Sequence, residues 1–305
     1  MMKKILSFSL SLAFILALSL PAFAASNGPD IPTEPAADTV TVNEDDVYVD
    51  ARNTSNEDLQ NRGMSEDQID LIKSDAIENE LLEKAALSVD ELSKLGYDNN
   101  QIAILKNYDG QAIEDAPELR GVFAGMTAKF FKSSASTSSL KVRVFWEWSN
   151  APALAGDPIT DLIAMRWQGT NTGGRPLNVA FNSSKSSANV NYYTRDGEYK
   201  FNRSVDIVCD SPYDHAYAEI PVSSGEYEDG WTIYAKSGNM YVQVDRTGTD
   251  SIKEAAFVFG YGHTVIAISP SLSLPASFGI GFSWGTEKMV EEAIRMDNKG
   301  IITEY

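Results

Sequence analysis

Serine hydrolysis is the most specific chemistry spelled out in the chain, because Gly281-Phe282-Ser283-Trp284-Gly285 has the spacing that lifts a nucleophile onto a sharp strand-to-helix turn. That reaction also needs a histidine to accept the serine proton. In the α/β-hydrolase fold the histidine follows the serine, whereas both histidines here, His215 and His263, precede Ser283. A strand running into a helix start explains the two glycines and Ser283 equally well. Hydrolysis therefore ranks third among the functions read here.

Cys209 and His215 form the other pair with nucleophilic potential. Ser211-Pro212-Tyr213-Asp214 has type I turn residues with proline second, which sets Cys209 opposite Ala216 on an apolar face and turns His215 to the other face with Asp210. Side chains on opposite faces cannot share a proton, so Cys209 reads as a small buried hydrophobe.

The polar face of these strands carries a different chemistry. Asp196-Gly197 is a preferred two-residue hairpin turn. It sets Tyr192 opposite Phe201, Thr194 opposite Tyr199 and Ala188 opposite Val205 on the apolar face, with Tyr193 opposite Lys200 and Asn191 opposite Asn202 on the other. Combined with the second turn, this predicts a three-stranded meander over 188–222. Its wet face gathers Asn191, Tyr193, Asn202, Tyr217, His215 and Asp210. Flat rings beside amides and carboxylates suit a glycan, the ring covering C–H surface while the polar groups bond hydroxyls. Asp206 falls opposite Glu219, a like-charge pair that a bound Ca²⁺ would relieve. No other cofactor is indicated.

Val265 to Gly285 alternates without a slip: Ile266, Ile268, Leu272, Leu274, Phe278, Ile280, Phe282 and Trp284 share one face, with small or hydroxyl residues on the other. Two such arms around Pro275 have the length and pattern of a transmembrane β-hairpin, and equally of sandwich strands packed on a core. Membrane insertion or pore formation through this segment is thus the alternative function. The sandwich is preferred because Pro270 and Pro275 would interrupt a continuous ladder.

The elements that must hold these residues change character along the chain. Lys3 and Lys4 precede the 16-residue apolar run Ile5 to Leu20, and Ala22-Phe23-Ala24 is a small-x-small cleavage site. Residues 1–24 read as a signal peptide, with the mature chain secreted from Ala25. Residues 25–50, with Pro29, Pro32 and Pro35 among acidic residues, read as a linker, with room for a short strand at Val40 to Val49.

Residues 51–110 contain a repeat. Leu59, Gly63, Ser65, Gln68, Ile69, Ile72 and Lys73 realign 33 positions later on Leu92, Gly96, Asp98, Gln101, Ile102, Leu105 and Lys106. Each copy reads as helix, stop and capped helix, and Ser88 with Glu91 repeats the cap signal. Two packed helical hairpins follow. From 121 to 305 the period becomes two, and turn signals recur as an antiparallel sandwich requires. Leu140, Val142, Val144, Trp146 and Trp148 alternate inward, and Lys236-Ser237-Gly238-Asn239 reads as a hairpin turn. Strands are expected near 161–168, 176–182, 230–235, 240–246 and 254–261, and a helix over Glu287 to Met296.

The expected architecture is α+β with segregated parts: a small N-terminal helical hairpin segment, then an antiparallel, jelly-roll-like sandwich closed by a short C-terminal helix. Charge excludes one class of partner. Residues 25–120 hold a net −16 of the total −18, a surface that repels phosphate backbones, so nucleic acid is excluded. The single cysteine rules out an intramolecular disulfide. The function read from the sequence is a secreted, non-catalytic interaction protein whose sandwich binds an extracellular surface or polymer.

Overall fold

A computed structural model describes residues 28–61, 66–94, 97–149, 160–194, 197–228, 231–264 and 286–304. Residues 1–24, expected to be a signal peptide, the alternating segment 265–285 with Ser283, and Gly63, Ser65, Gly96 and Asp196 lie outside them.

In chain order the strands are β1 (Asp38–Asn43), β2 (Gly125–Ala135), β3 (Ser139–Trp148), β4 (Thr160–Asn171), β5 (Pro176–Leu177), β6 (Val179–Phe181), β7 (Ser187–Tyr193), β8 (Tyr199–Val205), β9 (Val208–Ser211), β10 (His215–Pro221), β11 (Ser223–Glu228), β12 (Trp231–Arg246), β13 (Ile252–Thr264), β14 (Thr286–Asp297) and β15 (Ile302–Glu304). They form two antiparallel sheets. The first runs β1-β2-β3-β12-β7-β8, with β6 and β11 also on β12; the second runs β15-β14-β13-β4-β10-β9, with β5 on β4. Leu140, Val142, Val144, Trp146 and Trp148 of β3 point between the sheets, as their alternation predicts. They meet Ile163, Met165 and Trp167 of β4 and Phe257, Phe259 and Tyr261 of β13 in one continuous apolar core. Burial on that scale, at roughly 25 cal/mol per Å² of apolar surface, is what holds a disulfide-free sandwich together.

Six α-helices are described between β1 and β2: α1 (Glu44–Asn53), α2 (Asn56–Asn61), α3 (Glu66–Lys73), α4 (Ala76–Ala86), α5 (Val89–Lys94) and α6 (Asn99–Asn107). The 33-residue repeat recurs in their end contacts. Lys73 Nζ donates to the Arg52 and Thr54 carbonyls behind α1, and Lys106 Nζ donates to the equivalent Ala85 and Leu87 carbonyls behind α4. In each case a cation satisfies the orphan carbonyls of a helix end. Ser55 and Ser88 likewise accept from the Asp58 and Glu91 amides. Asp98 and Gln101 complete a reciprocal capping box on α6.

Five expectations need correction. The short strand expected at Val40 to Val49 lies instead at Asp38–Asn43, where β1 pairs along β2, and the residues after it are helical, Asn43 capping α1 by accepting from the Asp45 amide at 2.9 Å. The 188–222 meander is split, because the chain leaves the first sheet after Val205 and enters the second at Val208. Apolar alternation continues through that corner, so the pattern carries no sign of the crossing. Lys236 to Asn239 is no turn but the middle of the 16-residue β12. Gly238 is required there because an added Cβ would lie 2.4 Å from the Asn189 carbonyl and 2.6 Å from the Trp146 ring. Residues 287–296 belong to β14, not a helix: pairing with β13 and β15 and burial of alternate Ile294 and Met296 override helix-favouring Glu, Lys, Met and Ala. Finally, Tyr193 pairs with Tyr199 rather than with Lys200 across a bulge at Tyr192/Tyr193, while Tyr192–Phe201, Ala188–Val205 and Asn191–Asn202 stand as read.

Candidate functional site

The sheet crossing distributes the polar residues singled out above over two surfaces. Asn191, Tyr193 and Asn202 lie on the outer face of the first sheet; Asp210, His215 and Tyr217 lie on the outer face of the second. Asp206 is exposed between β8 and β9, and Glu219 pairs with Leu162 of β4, so the two carboxylates are not opposed and the like-charge motive for Ca²⁺ falls away. No group of three or more metal-ligating side chains gathers among the described residues.

On the second sheet, Ala216, Ala218 and Ile220 face the core, which puts His215, Tyr217 and Glu219 on the other face. Of these three only Glu219 is exposed: His215 is 7% exposed and Tyr217 packs on buried Leu162 and Ala164. His215 sits opposite Arg166 of β4. The tight turn at Ser211–Asp214, closed by the Asp214 amide on the Ser211 carbonyl at 3.0 Å, brings Asp214 to the same place. Asp214 Oδ1 accepts from Arg166 Nη2 at 2.8 Å and Nε at 3.3 Å, and Asp214 Oδ2 stands 2.9 Å from His215 Nδ1. Burial alone would push the Asp214 carboxyl up, but hydrogen bonds from Arg166 and His215, with the guanidinium charge, hold it below the ordinary carboxylate range. Cys209 takes no part: its thiol donates to the His215 carbonyl at 3.4 Å and packs at the core edge, and burial pushes it up.

Beside this pair opens a pocket of about 390 Å³, lined among others by Arg166, Gln168, Asn178, Tyr213 and Asp214. Leu177 and Val258 supply apolar wall. Tyr213 is 58% exposed. The pocket thus offers a flat ring, two amides, a guanidinium and a carboxylate around an open space, and chemically it can stack on C–H surface while bonding hydroxyls from several sides. Of the residues expected at a site, His215 meets the pocket only through Asp214, Asp210 and Tyr217 do not line it, and the spacing singled out none of Arg166, Gln168 and Tyr213. The exposed turn tyrosine was the available signal, and it was spent on the turn.

The first sheet's outer face is polar but not wet. Asn191 and Asn239 are fully buried where the segment around Asp30 crosses this face, and Tyr193, against Tyr199 and Lys236, is 9% exposed. Arg143 Nη2 donates to Asp30 Oδ1 at 2.9 Å; Asn189 Nδ2 and Tyr241 Oη donate to Asp30 Oδ2 at 3.2 and 3.1 Å. Desolvation first, then the Asp30 charge, pushes the Tyr241 phenol up to about 12 against the pull of Arg143, so it remains a donor.

No family model matches the chain, and no curated protein does. Solved structures similar to it include an enzyme described as catalysing macrocyclization in alchivemycin A biosynthesis (14% identity, 56% of this chain and 88% of that one, TM-score 0.27). The collagen-binding domain of a Staphylococcus aureus adhesin is similar at 11% identity over 53% of this chain and 89% of that one, with a TM-score of 0.25. Likeness at this level assigns no function.

Proposed function

We propose that the chain is a secreted, non-catalytic binding protein whose sandwich takes an extracellular glycan polymer in the Tyr213 pocket of the second sheet. The observation that carries this reading is the pocket itself: an exposed ring held beside the Arg166–Asp214 pair, with Gln168 and Asn178 completing the polar rim. Tyr213 costs little to present, since it tops a turn fixed by Pro212 and the Ser211–Asp214 hydrogen bond. A ring ordered before binding loses little entropy when a sugar stacks on it. Arg166 and Asp214 then meet hydroxyls with groups already oriented by each other. The test is co-sedimentation of the mature protein with insoluble cell-wall polysaccharide. Tyr213→Ala and Gln168→Ala should each reduce the bound fraction at least about threefold, with the melting temperature nearly unchanged, as for other surface changes. Retention of full binding by the double variant removes the pocket as the site.

A further inference from the structure

Asp30 is held on the first sheet as a ligand is held. Its side chain receives Arg143, Asn189 and Tyr241; its carbonyl accepts from Asn239 Nδ2 at 2.7 Å and Arg143 Nη2 at 3.3 Å; its amide donates to Asn191 Oδ1 at 3.3 Å. Every polar group of one aspartyl residue is therefore read, main chain included. The donors hold their places through bonds that do not involve Asp30. Arg143 Nε donates to Asn239 Oδ1 at 2.7 Å, Asn239 Nδ2 to Asn189 Oδ1 at 3.1 Å, and Asn202 Nδ2 to Asn191 Oδ1 at 2.8 Å. The Arg143 guanidinium also lies 5.8 and 5.2 Å from the Phe131 and Tyr241 rings. Such a groove is preorganised before any carboxylate arrives.

The occupying segment is lightly bound by comparison. Ile31, next to Asp30, is 46% exposed, and Glu34 reaches Arg143 only at 3.8 Å. Asp30 is the main polar anchor of residues 28–36 on this face, and the Ala37 amide on the Phe130 carbonyl at 2.8 Å begins the strand pairing beyond it.

We propose that this groove is a recognition site for the aspartate of an extended acidic peptide, and that the chain's own Asp30 fills it in cis. The main-chain contacts decide the ligand class: Asn191 Oδ1 accepts a peptide N–H, which a sugar acid or free phosphate does not offer at that place. A tethered occupant competes at a high effective concentration, so a peptide in trans meets a site that is mostly filled. The occupant in trans is the 28–36 segment of a second copy, the one peptide seen to fit the site, and capture of an acidic segment of another protein is an outcome of the test.

The experiment is fluorescence anisotropy of a labelled peptide, Gly-Pro-Asp-Ile-Pro-Thr-Glu-Pro-Ala (residues 28–36), titrated with the full mature chain. Asp30→Ala should bind it at least about tenfold more tightly than wild type, because the cis competitor is gone. Asp30→Asn, of the same shape, repeats the test should the alanine variant misfold. Adding Arg143→Gln, or replacing the peptide's aspartate by asparagine, should abolish binding. If near-UV circular dichroism shows Asp30→Ala folded and its affinity equals wild type, or if the asparagine peptide binds equally, the proposal is overturned. Sedimentation velocity assigns the source: dimerisation of wild type that rises with concentration and disappears in Asp30→Ala identifies a second copy. A monomer throughout, with the anisotropy result positive, overturns a second copy as the occupant.

Discussion

Tyr261 donates its phenolic proton to Asp161 Oδ2 at 2.6 Å, and Trp148 donates its indole N–H to the same phenol oxygen at 3.0 Å. This polar chain runs through the apolar core, tying β3, β4 and β13 together where both sheets meet. Burial, reinforced by the Asp161 charge, pushes the Tyr261 phenol well above its ordinary value, so it stays a donor. Tyr261→Phe keeps the edge packing on Trp146 and Trp148 but takes the hydroxyl from between two buried polar groups. The expected cost is about 1–3 kcal/mol, read as a lower urea midpoint at unchanged slope.

The helical segment has its own buried charge. Arg52 and Glu78, whose side chains are 9% and 6% exposed, form a two-pronged pair, and Arg52 also donates to the Ile72 and Ser74 carbonyls at 3.1 and 2.8 Å. Arg52→Met leaves Glu78 in place without its guanidinium and should cost about 3–5 kcal/mol. The double variant Arg52→Met/Glu78→Leu should recover most of that loss. A double variant no more stable than the single one would show that the carbonyl contacts of Arg52 or the bond from the Ile113 amide to Glu78, not the ion pair, carry the effect.

At Gly238 the backbone of β12 is approached from both sides, by the Asn189 carbonyl and by the Trp146 ring. Neither can retreat without opening the sheet or the core. Gly238→Ala is expected to cost at least about 3 kcal/mol, at or beyond the upper end of ordinary overpacking. Thermal unfolding within a degree or two of wild type would contradict that packing.

These cases show which parts of the molecule the sequence discloses. The period-two burial of Leu140 to Trp148 and the caps at Ser88 and Asp98 are local, so residue types fix them. The β14 strand was hidden because its residues prefer helix one by one, and only β13 and β15 supply the pairing that reverses this. The buried polar face was misread as wet for a related reason. Asp30 reaches Asn191 across 161 positions and Tyr241 across 211, distances at which no spacing rule operates. Likewise the pocket residues Arg166, Asn178 and Tyr213 come from a strand, a loop and a turn that only the fold brings together.

Acid should act on the second sheet through Asp214. Its carboxyl titrates below the ordinary value because bonds from Arg166 and His215 outweigh the opposing effect of burial. A carboxyl with a lowered folded pKa contributes stability that is complete above the unfolded value of about 3.9 and is lost as the pH falls through the folded one. The side chain is 37% exposed, so solvent screens the pair and the contribution is modest. Asp214→Asn removes the titration while keeping the shape of the turn. The stability gap between wild type and this variant should be steady between about pH 5 and pH 6 and should close below about pH 4. Glycan binding in the Tyr213 pocket should weaken over the same range, since protonated Asp214 releases Arg166 from its orientation. Urea denaturation at stepped pH, with co-sedimentation alongside, checks both. A gap that persists unchanged to pH 3 would show that the Arg166–Asp214 pair contributes nothing to the fold through its charge.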